Sequence, residues 1–199
     1  MRINKLALTN FRSYNSLELD LEPGVITFIG DNGSGKTNIA ESLIYLAFLS
    51  SHRVANNVPL ISLGNQQAII RTEVQREDRT LQIDLEINAT KANRARINGN
   101  PTRSQRELLG AIQIVYFSPE DLDFVRGEPG NRRDFLDRLL ITRTPRLAGV
   151  IADYERVVKQ RNALLKTRTS AAALVPWNEQ LIKLGAELTA ERIALVDAL

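Results

Sequence analysis

The stretch FIGDNGSGKTNIAESL, residues 28–43, decides the fold. An apolar run leads into glycines and an apolar helical pattern follows them, so a strand is predicted to turn directly into a helix. The loop between them matches G-x-x-x-x-G-K-[ST], the phosphate-binding P-loop. It consists of Gly30, Asp31, Asn32, Gly33, Ser34, Gly35, Lys36 and Thr37. We therefore interpret residues 30–37 as a nucleotide-binding loop.

Each residue type in this loop has a chemical reason. Glycines allow positive φ angles and let backbone N–H groups come close to a phosphate. The Lys36 ammonium group can lie between the β- and γ-phosphates, and the Thr37 hydroxyl can coordinate Mg²⁺. The N-terminus of the following helix adds its positive dipole end. A nucleotide with Mg²⁺ is thus the predicted ligand.

The composition is that of a globular protein. The 199 residues are 43% hydrophobic and 25% charged, and cysteine is absent, which excludes disulfides and thiolate metal sites. The N-terminus lacks the apolar core of a signal peptide. The longest apolar helix candidate, residues 39–49, is too short to cross a bilayer. The sequence predicts a cytoplasmic protein with no membrane partner.

Positive charge is concentrated in residues 126–168, which carry eleven Lys or Arg residues against five Asp or Glu residues. The whole chain has a net charge of only +3, so the rest of it is acidic. Such asymmetry indicates an anionic partner, with nucleic acid the obvious candidate, or else a well-solvated helix face. Arg132 and Arg133 diverge by about 100° on a helix, so they cannot both serve one internal ion pair. Phosphate contact and salt bridges with nearby acids both remain open for them.

The pattern of apolar residues predicts an α/β fold in two domains. Strands are predicted at residues 3–11, 16–22, 24–30 and 111–122, with a hairpin around residues 75–79 and a tight turn at Asn98-Gly99. Residues 24–30 and 111–122 are interpreted as buried strands. After residue 130 the pattern becomes helical, and residues 166–177 are interpreted as the link between two helices. We assign residues 1–130 to a lobe around the P-loop and residues 131–199 to an α-helical arm, a helical hairpin.

The segment INKLALTNFRSYNSLELDLEPGVITFIGDNGSGKTNIAESLIYLAF resembles the opening of the ABC-like ATPase heads of chromosome maintenance and double-strand-break repair proteins. The segments LLGAIQIVYFSPEDLDFVRGEPGNRRDFLDRLL and YERVVKQRNALLK narrow the resemblance to the RecF family of DNA recombination and repair proteins. It extends from residue 3 to about residue 192, and residues 117–137 are its most specific part. The resemblance implies an ABC-type ATPase head with a mixed sheet around the P-loop helix.

The resemblance also implies ligands and site residues. ATP and Mg²⁺ are the expected cofactors, with Asn38 and Arg12 near the nucleotide and Thr37 and Glu120 as metal ligands. Arg53, with Arg132 and Arg133, is a candidate DNA contact. His52, the single histidine, lacks a titratable partner in the sequence, so a catalytic role is disfavoured.

The expected function that follows is ATP-dependent DNA binding in recombinational repair, replication-gap processing and the SOS response. ATP binding and head dimerisation would switch DNA binding and recombinase loading. The expected partners are DNA, as single-strand gaps or double strands, recombination mediator proteins, and a second copy of the full-length protein.

Three parts that hydrolysis by such a head needs are missing from the sequence: an apolar strand ending in acids, a serine-glycine signature and a switch histidine. In the RecF family the first two follow the arm, so we expect the chain to be the N-terminal part of the head, cut before them. It is then expected to bind ATP without hydrolysing it alone. A non-catalytic interaction module stabilised by nucleotide and, less favoured, a P-loop kinase remain alternatives.

Overall fold

The computed structural model describes residues 1–54, 56–118, 121, 126–167 and 170–199. The chain divides into two compact units, Met1–Tyr116 and Phe117–Leu199. The first unit contains the sheet and the helix that follows the P-loop, and the second consists of helices. None of the helices in the described ranges combines the length and apolar character needed to cross a membrane.

The first unit is built on an antiparallel sheet of six strands in the order β2-β1-β3-β4-β5-β6. The strands are β1 (Arg2–Phe11), β2 (Tyr14–Asp20), β3 (Gln67–Arg76), β4 (Arg79–Asn88), β5 (Arg94–Ile97) and β6 (Asn100–Pro101). The predicted hairpin around residues 75–79 is confirmed as the β3–β4 connection. The Asn98-Gly99 turn joins β5 to β6, with φ of +51° and +78°, as a tight hairpin turn requires.

One face of this sheet is covered by helix α1 (Lys36–Phe48), which begins at the P-loop. Side chains alternate along the strands, so every second residue points to the helix. Leu6, Ile70 and Leu85 from three strands form one buried cluster with Tyr45 and Leu46 of α1. Short 3₁₀ helices at Val58–Leu60 and Gln105–Leu108 add their leucines to it. This packing fixes the start of α1 against the β1–β2 hairpin.

Two predicted buried strands are wrong. Residues 24–30 and 113–118 form no strand, and Val25 and Val115 are fully exposed, at 97% and 101%. A parallel strand is stabilised only when a neighbour accepts and donates its backbone hydrogen bonds. Within the described ranges, no segment pairs with either one. Both segments therefore present apolar side chains to solvent.

Among its described residues, the second unit has the helices α2 (Pro129–Arg143), α3 (Leu147–Lys166) and α4 (Ala171–Val196). The predicted helical hairpin is confirmed for α3 and α4, because Arg146 bonds Glu187 while Arg161 bonds Asn178, an antiparallel register. The predicted link at residues 166–177 is wrong in its length. Helix α4 begins at Ala171, and Pro176 lies inside it, in its second turn.

Candidate nucleotide-binding site

The glycine-rich loop forms a compact turn between residues 25–30, which have no regular secondary structure, and α1. Gly33 and Gly35 have φ of +85° and +99°, which L-residues rarely adopt. Ser34 donates its backbone N–H to the Asp31 carbonyl oxygen at 3.2 Å, which closes the turn. Within the described ranges no side chain caps the helix at Gly35. Asn38 donates its N–H to the Gly35 carbonyl oxygen at 2.8 Å, whereas the N–H groups of Lys36 and Thr37 have no acceptor within the helix and suit an anion.

Gly35 is also required by its surroundings. A Cβ atom at this position would lie 2.8 Å from Ser13 Oγ and 2.8 Å from Tyr14 Oη. Ser13 lies in the turn of the β1–β2 hairpin, and Tyr14 is the first residue of β2. The loop therefore packs its backbone directly against this hairpin, which sets the direction in which α1 begins.

Lys36 lies at the first position of α1 and reaches back over the loop. Its Nζ donates to the carbonyl oxygens of Gly30 and Asp31, each at 2.7 Å, and lies 3.4 Å from Ser34 Oγ. The ammonium group is thereby held against the loop that precedes the helix. A positive charge beside unbonded backbone N–H groups fits a chain of phosphates. Lys36, Gly30, Asp31 and Ser34 thus lie together at the start of α1, and their binding of phosphate stays a prediction.

Thr37 follows in the first turn of α1 and is exposed. In the part of the chain that the structure describes, no group of three or more His, Asp or Glu residues could hold a metal ion. The Thr37 hydroxyl alone fits Mg²⁺ only where nucleotide phosphates and water supply further oxygens. Glu120, the other predicted metal ligand, lies outside the described residues.

Behind the loop, a carboxylate on α1 gathers two arginines. Glu41 is fully buried and accepts two hydrogen bonds from Arg12, at 2.6 and 2.9 Å. Ser51 donates to it at 2.6 Å and Arg53 at 3.2 Å. Burial opposes ionisation of Glu41, but these hydrogen bonds and the two positive charges outweigh it and lower its pKa. Glu41 is therefore an ionised carboxylate inside the first unit.

This arrangement places the predicted residues behind the loop. Asn38 donates to Ser13 Oγ at 3.0 Å and accepts from Arg53 at 3.1 Å. Arg12 has a positive φ of +54° in the β1–β2 turn, and its guanidinium group lies on Glu41 and the Pro59 carbonyl oxygen. The predicted phosphate contact of Arg12 and DNA contact of Arg53 stay predictions.

The role of Glu41 at the centre of this cluster was not predicted from the sequence. The usable signal was an acid in the otherwise apolar stripe of a helix, because a buried carboxylate needs cationic partners.

The remaining candidates lie elsewhere. Arg132, on α2, is exposed and donates to the Gly127 carbonyl oxygen at 3.2 Å, and Arg133 is exposed on the same helix. Their predicted contact with DNA stays a prediction. The His52 ring lies 4.7 Å from the Tyr116 ring, at the end of the first unit.

A glycine-rich loop that opens a helix beneath an antiparallel sheet, with a lysine at the first helical position, defines a P-loop nucleotide-binding domain. The chain belongs to the AAA ATPase domain family, whose model matches residues 1–143.

Curated relatives confirm the resemblance to the RecF family. A protein of Kineococcus radiotolerans described as "DNA replication and repair protein RecF" is 49% identical, over 98% of this chain and 52% of its own length. A protein of Streptomyces avermitilis with the same description is 47% identical, over all of this chain and 56% of its own. The chain thus spans about half the length of the curated relatives it matches.

Solved structures confirm the fold class, an α/β ATPase head followed by helices. A structure described as the recombination mediator protein RecF with ATP matches with a TM-score of 0.85 and 25% identity, over 98% of this chain and 54% of that one. A structure of RecF with ATPrS matches with a TM-score of 0.91 and 24% identity, over 98% of this chain and 54% of that one. An SMC ATPase matches with a TM-score of 0.55 and 22% identity, over 69% of this chain and 98% of that one.

Proposed function

We propose that this chain is the nucleotide-binding part of a RecF-like protein of DNA replication and recombinational repair, which binds Mg-ATP at residues 30–37. The observation that carries the proposal is the loop geometry, with Lys36 Nζ held 2.7 Å from two loop carbonyl oxygens beside the open end of α1. The names of the curated relatives support the repair role. The ATP-bound RecF structure supports the choice of nucleotide.

The chemistry of binding follows from the loop. Lys36 exchanges its two carbonyl acceptors for the β- and γ-phosphates, which are stronger partners because they are charged. The N–H groups of the first turn of α1 donate to the β-phosphate, and the Thr37 hydroxyl provides one Mg²⁺ ligand. The Glu41 cluster holds the β1–β2 hairpin against the helix start. The loop thus keeps its shape when phosphate binds.

The wider role is part of the same proposal. ATP binding and dimerisation of two heads act as a switch for DNA binding and recombinase loading at replication gaps, in the cytoplasm. Recombination mediator proteins are the further partners. The positive charge of residues 126–168, including Arg132 and Arg133, supports an anionic partner.

Titration calorimetry of Mg-ATP into the purified chain tests the proposal. We expect binding by the wild type and a loss of about tenfold to hundredfold in affinity for Lys36→Ala, the equivalent of one charge-assisted hydrogen bond. Lys91→Ala, which removes an exposed lysine outside the loop, is the matched control and should bind like the wild type. Equal affinity of Lys36→Ala and the wild type would contradict the assignment of the loop.

A further inference from the structure

A second basic segment lies in the first unit. Residues 91–106 contain five Lys or Arg residues and no Asp or Glu: Lys91, Arg94, Arg96, Arg103 and Arg106. The segment spans β5, β6 and the start of the second 3₁₀ helix, at the edge of the sheet. It is separate in sequence both from the P-loop and from residues 126–168. Its charge has no role in the nucleotide site.

Three of these arginines line one groove. The groove has a volume of about 450 Å³, and Arg94, Arg96 and Arg103 line it together with Arg71 of β3. Side chains alternate along a strand, so Arg94 and Arg96 share a face while Ala95 between them is buried. The groove is therefore on the sheet face that points away from the buried cluster and α1.

The strand register explains how the arginines are arranged. Arg71 lies opposite Asp84, and Asp84 lies opposite Arg96. Neighbouring strands are about 4.8 Å apart, and residues two apart on a strand are about 7 Å apart. Arg71, Arg94 and Arg96 thus form a triangle of cationic side chains about 7 to 12 Å across. Arg103 adds a fourth from the rim.

Two acids on β4, Asp84 and Glu86, lie in the same groove and offset half of its four positive charges. Asp84 pairs with Arg71 at 3.6 Å, and Glu86 accepts a hydrogen bond from Asn88 at 3.0 Å. Among the ion pairs of the described residues, none involves Arg94, Arg96 or Arg103. All three are exposed. The groove therefore keeps a net positive charge with unused guanidinium donors.

The backbone around the groove is fixed. Thr102 bonds the Ala95 carbonyl oxygen through its N–H at 3.0 Å and through its hydroxyl at 3.2 Å. The Arg103 N–H donates to Glu107 at 2.8 Å, next to a capping box at Ser104. The side-chain amide of Asn93 donates a hydrogen bond to Gln105 Oε1 at 2.9 Å. Arginines on a fixed backbone lose less entropy on binding than arginines on a mobile loop.

We propose that this groove binds the phosphate backbone of DNA through Arg71, Arg94, Arg96 and Arg103. The inference rests on the proposed function, since it gives a site to the DNA binding expected there. Planar guanidinium groups match phosphate oxygens in pairs, and a phosphate backbone supplies a row of such anions. The groove lacks exposed aromatic rings on which bases could stack, among the residues that line it. Because contacts with phosphates carry no sequence information, binding at this groove is independent of base sequence.

Fluorescence anisotropy with a labelled DNA duplex tests the site, from about 50 mM to about 200 mM NaCl. We expect the double variant Arg94→Ala/Arg96→Ala to bind on the order of tenfold more weakly at low salt, and its salt slope to fall by about two. Arg103→Ala, on the rim, should lower the slope by about one. Affinity for Mg-ATP should stay unchanged in all of them, since the P-loop is intact.

The matched control is Arg76→Ala/Arg79→Ala, which removes two exposed arginines from the β3–β4 hairpin end. Equal losses in this control and in the Arg94/Arg96 variant would overturn the groove as a site and leave DNA binding elsewhere intact. A wild type that binds no duplex would overturn both the groove and the proposed DNA role. Labelled polyglutamate is the second probe. If Arg94→Ala/Arg96→Ala binds polyglutamate more weakly but binds the duplex like the wild type, the groove binds an acidic protein segment and the proposal is overturned.

Discussion

Glu41 shows how one buried carboxylate positions a loop it does not touch. Its side chain has no solvent exposure, and it accepts hydrogen bonds from Arg12 in the β1–β2 turn and from Ser51 and Arg53 after α1. The hairpin that holds Arg12 also carries Ser13 and Tyr14, against which Gly35 packs. One acid thus joins three segments around the start of α1. Replacing Glu41 should therefore lower the stability of the fold, since its side chain makes no direct contact with the P-loop.

We expect Glu41→Gln to lower the free energy of unfolding by on the order of 3 kcal/mol, because it leaves the largely buried guanidinium of Arg12 without its counter-charge. Urea denaturation followed by circular dichroism measures this change. Glu18→Gln, at an exposed position on β2, should have almost no effect. Equal stability of Glu41→Gln and the wild type would show that the cluster is not a structural ion pair.

The same carboxylate gives a pH dependence. The pKa of Glu41 in the folded chain lies below its ordinary value of 4.5, so the unfolded chain takes up a proton first as the pH falls. The stability that Glu41 supplies is therefore present above about pH 4.5. It is lost as the pH falls toward the pKa of Glu41 in the folded chain. The difference between the wild type and Glu41→Gln should be constant at neutral pH and shrink as the pH falls below about 4.5. A difference that stays constant as the pH falls further would contradict this.

At the scale of the element, the start of α1 depends on a glycine for two separate reasons. Gly35→Ala must keep a positive φ, which costs about 1 to 2 kcal/mol, and must also displace Ser13 and Tyr14. Gly64→Ala is the matched control, because its φ is +83° and nothing lies within 4 Å of the added Cβ. We expect a larger loss of stability for Gly35→Ala in thermal unfolding, together with a loss of Mg-ATP affinity. Equal losses of stability in the two variants would mean that Ser13 and Tyr14 move away from the added Cβ without an energetic cost.

Which elements could be predicted depended on where their stabilising partners lie. The β3–β4 hairpin and the Asn98-Gly99 turn are determined by residues close in sequence, and both predictions are confirmed by the fold. The glycine-rich turn before α1 is equally local, and its binding of nucleotide stays a prediction. The segments at residues 24–30 and 113–118 have the apolar character of buried strands, but a strand also needs a neighbour. The apolar pattern of one segment does not show whether another strand lies beside it, so both predictions were wrong.

The residues of the candidate site also differ in whether the sequence could predict them. A motif with fixed spacing located residues 30–37, while the Glu41 cluster and the arginine groove each join residues from several segments. Such groupings follow from the pairing of strands and the packing of a helix. The register that brings Arg71 and Arg96 onto either side of Asp84 cannot be read from the spacing of those residues along the chain.

At the scale of the whole molecule, the exposed apolar segments should govern its behaviour in solution. Val25 and Ile29 are 97% and 91% exposed, and Val115 is 101% exposed. Exposed apolar segments with unpaired backbone groups are templates for association between chains. We expect sedimentation velocity to show self-association of the chain that increases with concentration. Val115→Asp should reduce it, because association would then bury a charge.

A control at one isolated exposed leucine distinguishes association through an unpaired segment from association through a single apolar side chain. Leu63 is 102% exposed, as much as Val115, but it lies in the loop before β3. Leu63→Asp adds the same charge and removes a similar apolar side chain, so it should leave the association unchanged if an extended segment is what pairs. Equal relief by both variants would mean that added charge alone keeps the chains apart. A wild type that stays monomeric at every concentration would show that these segments do not drive association.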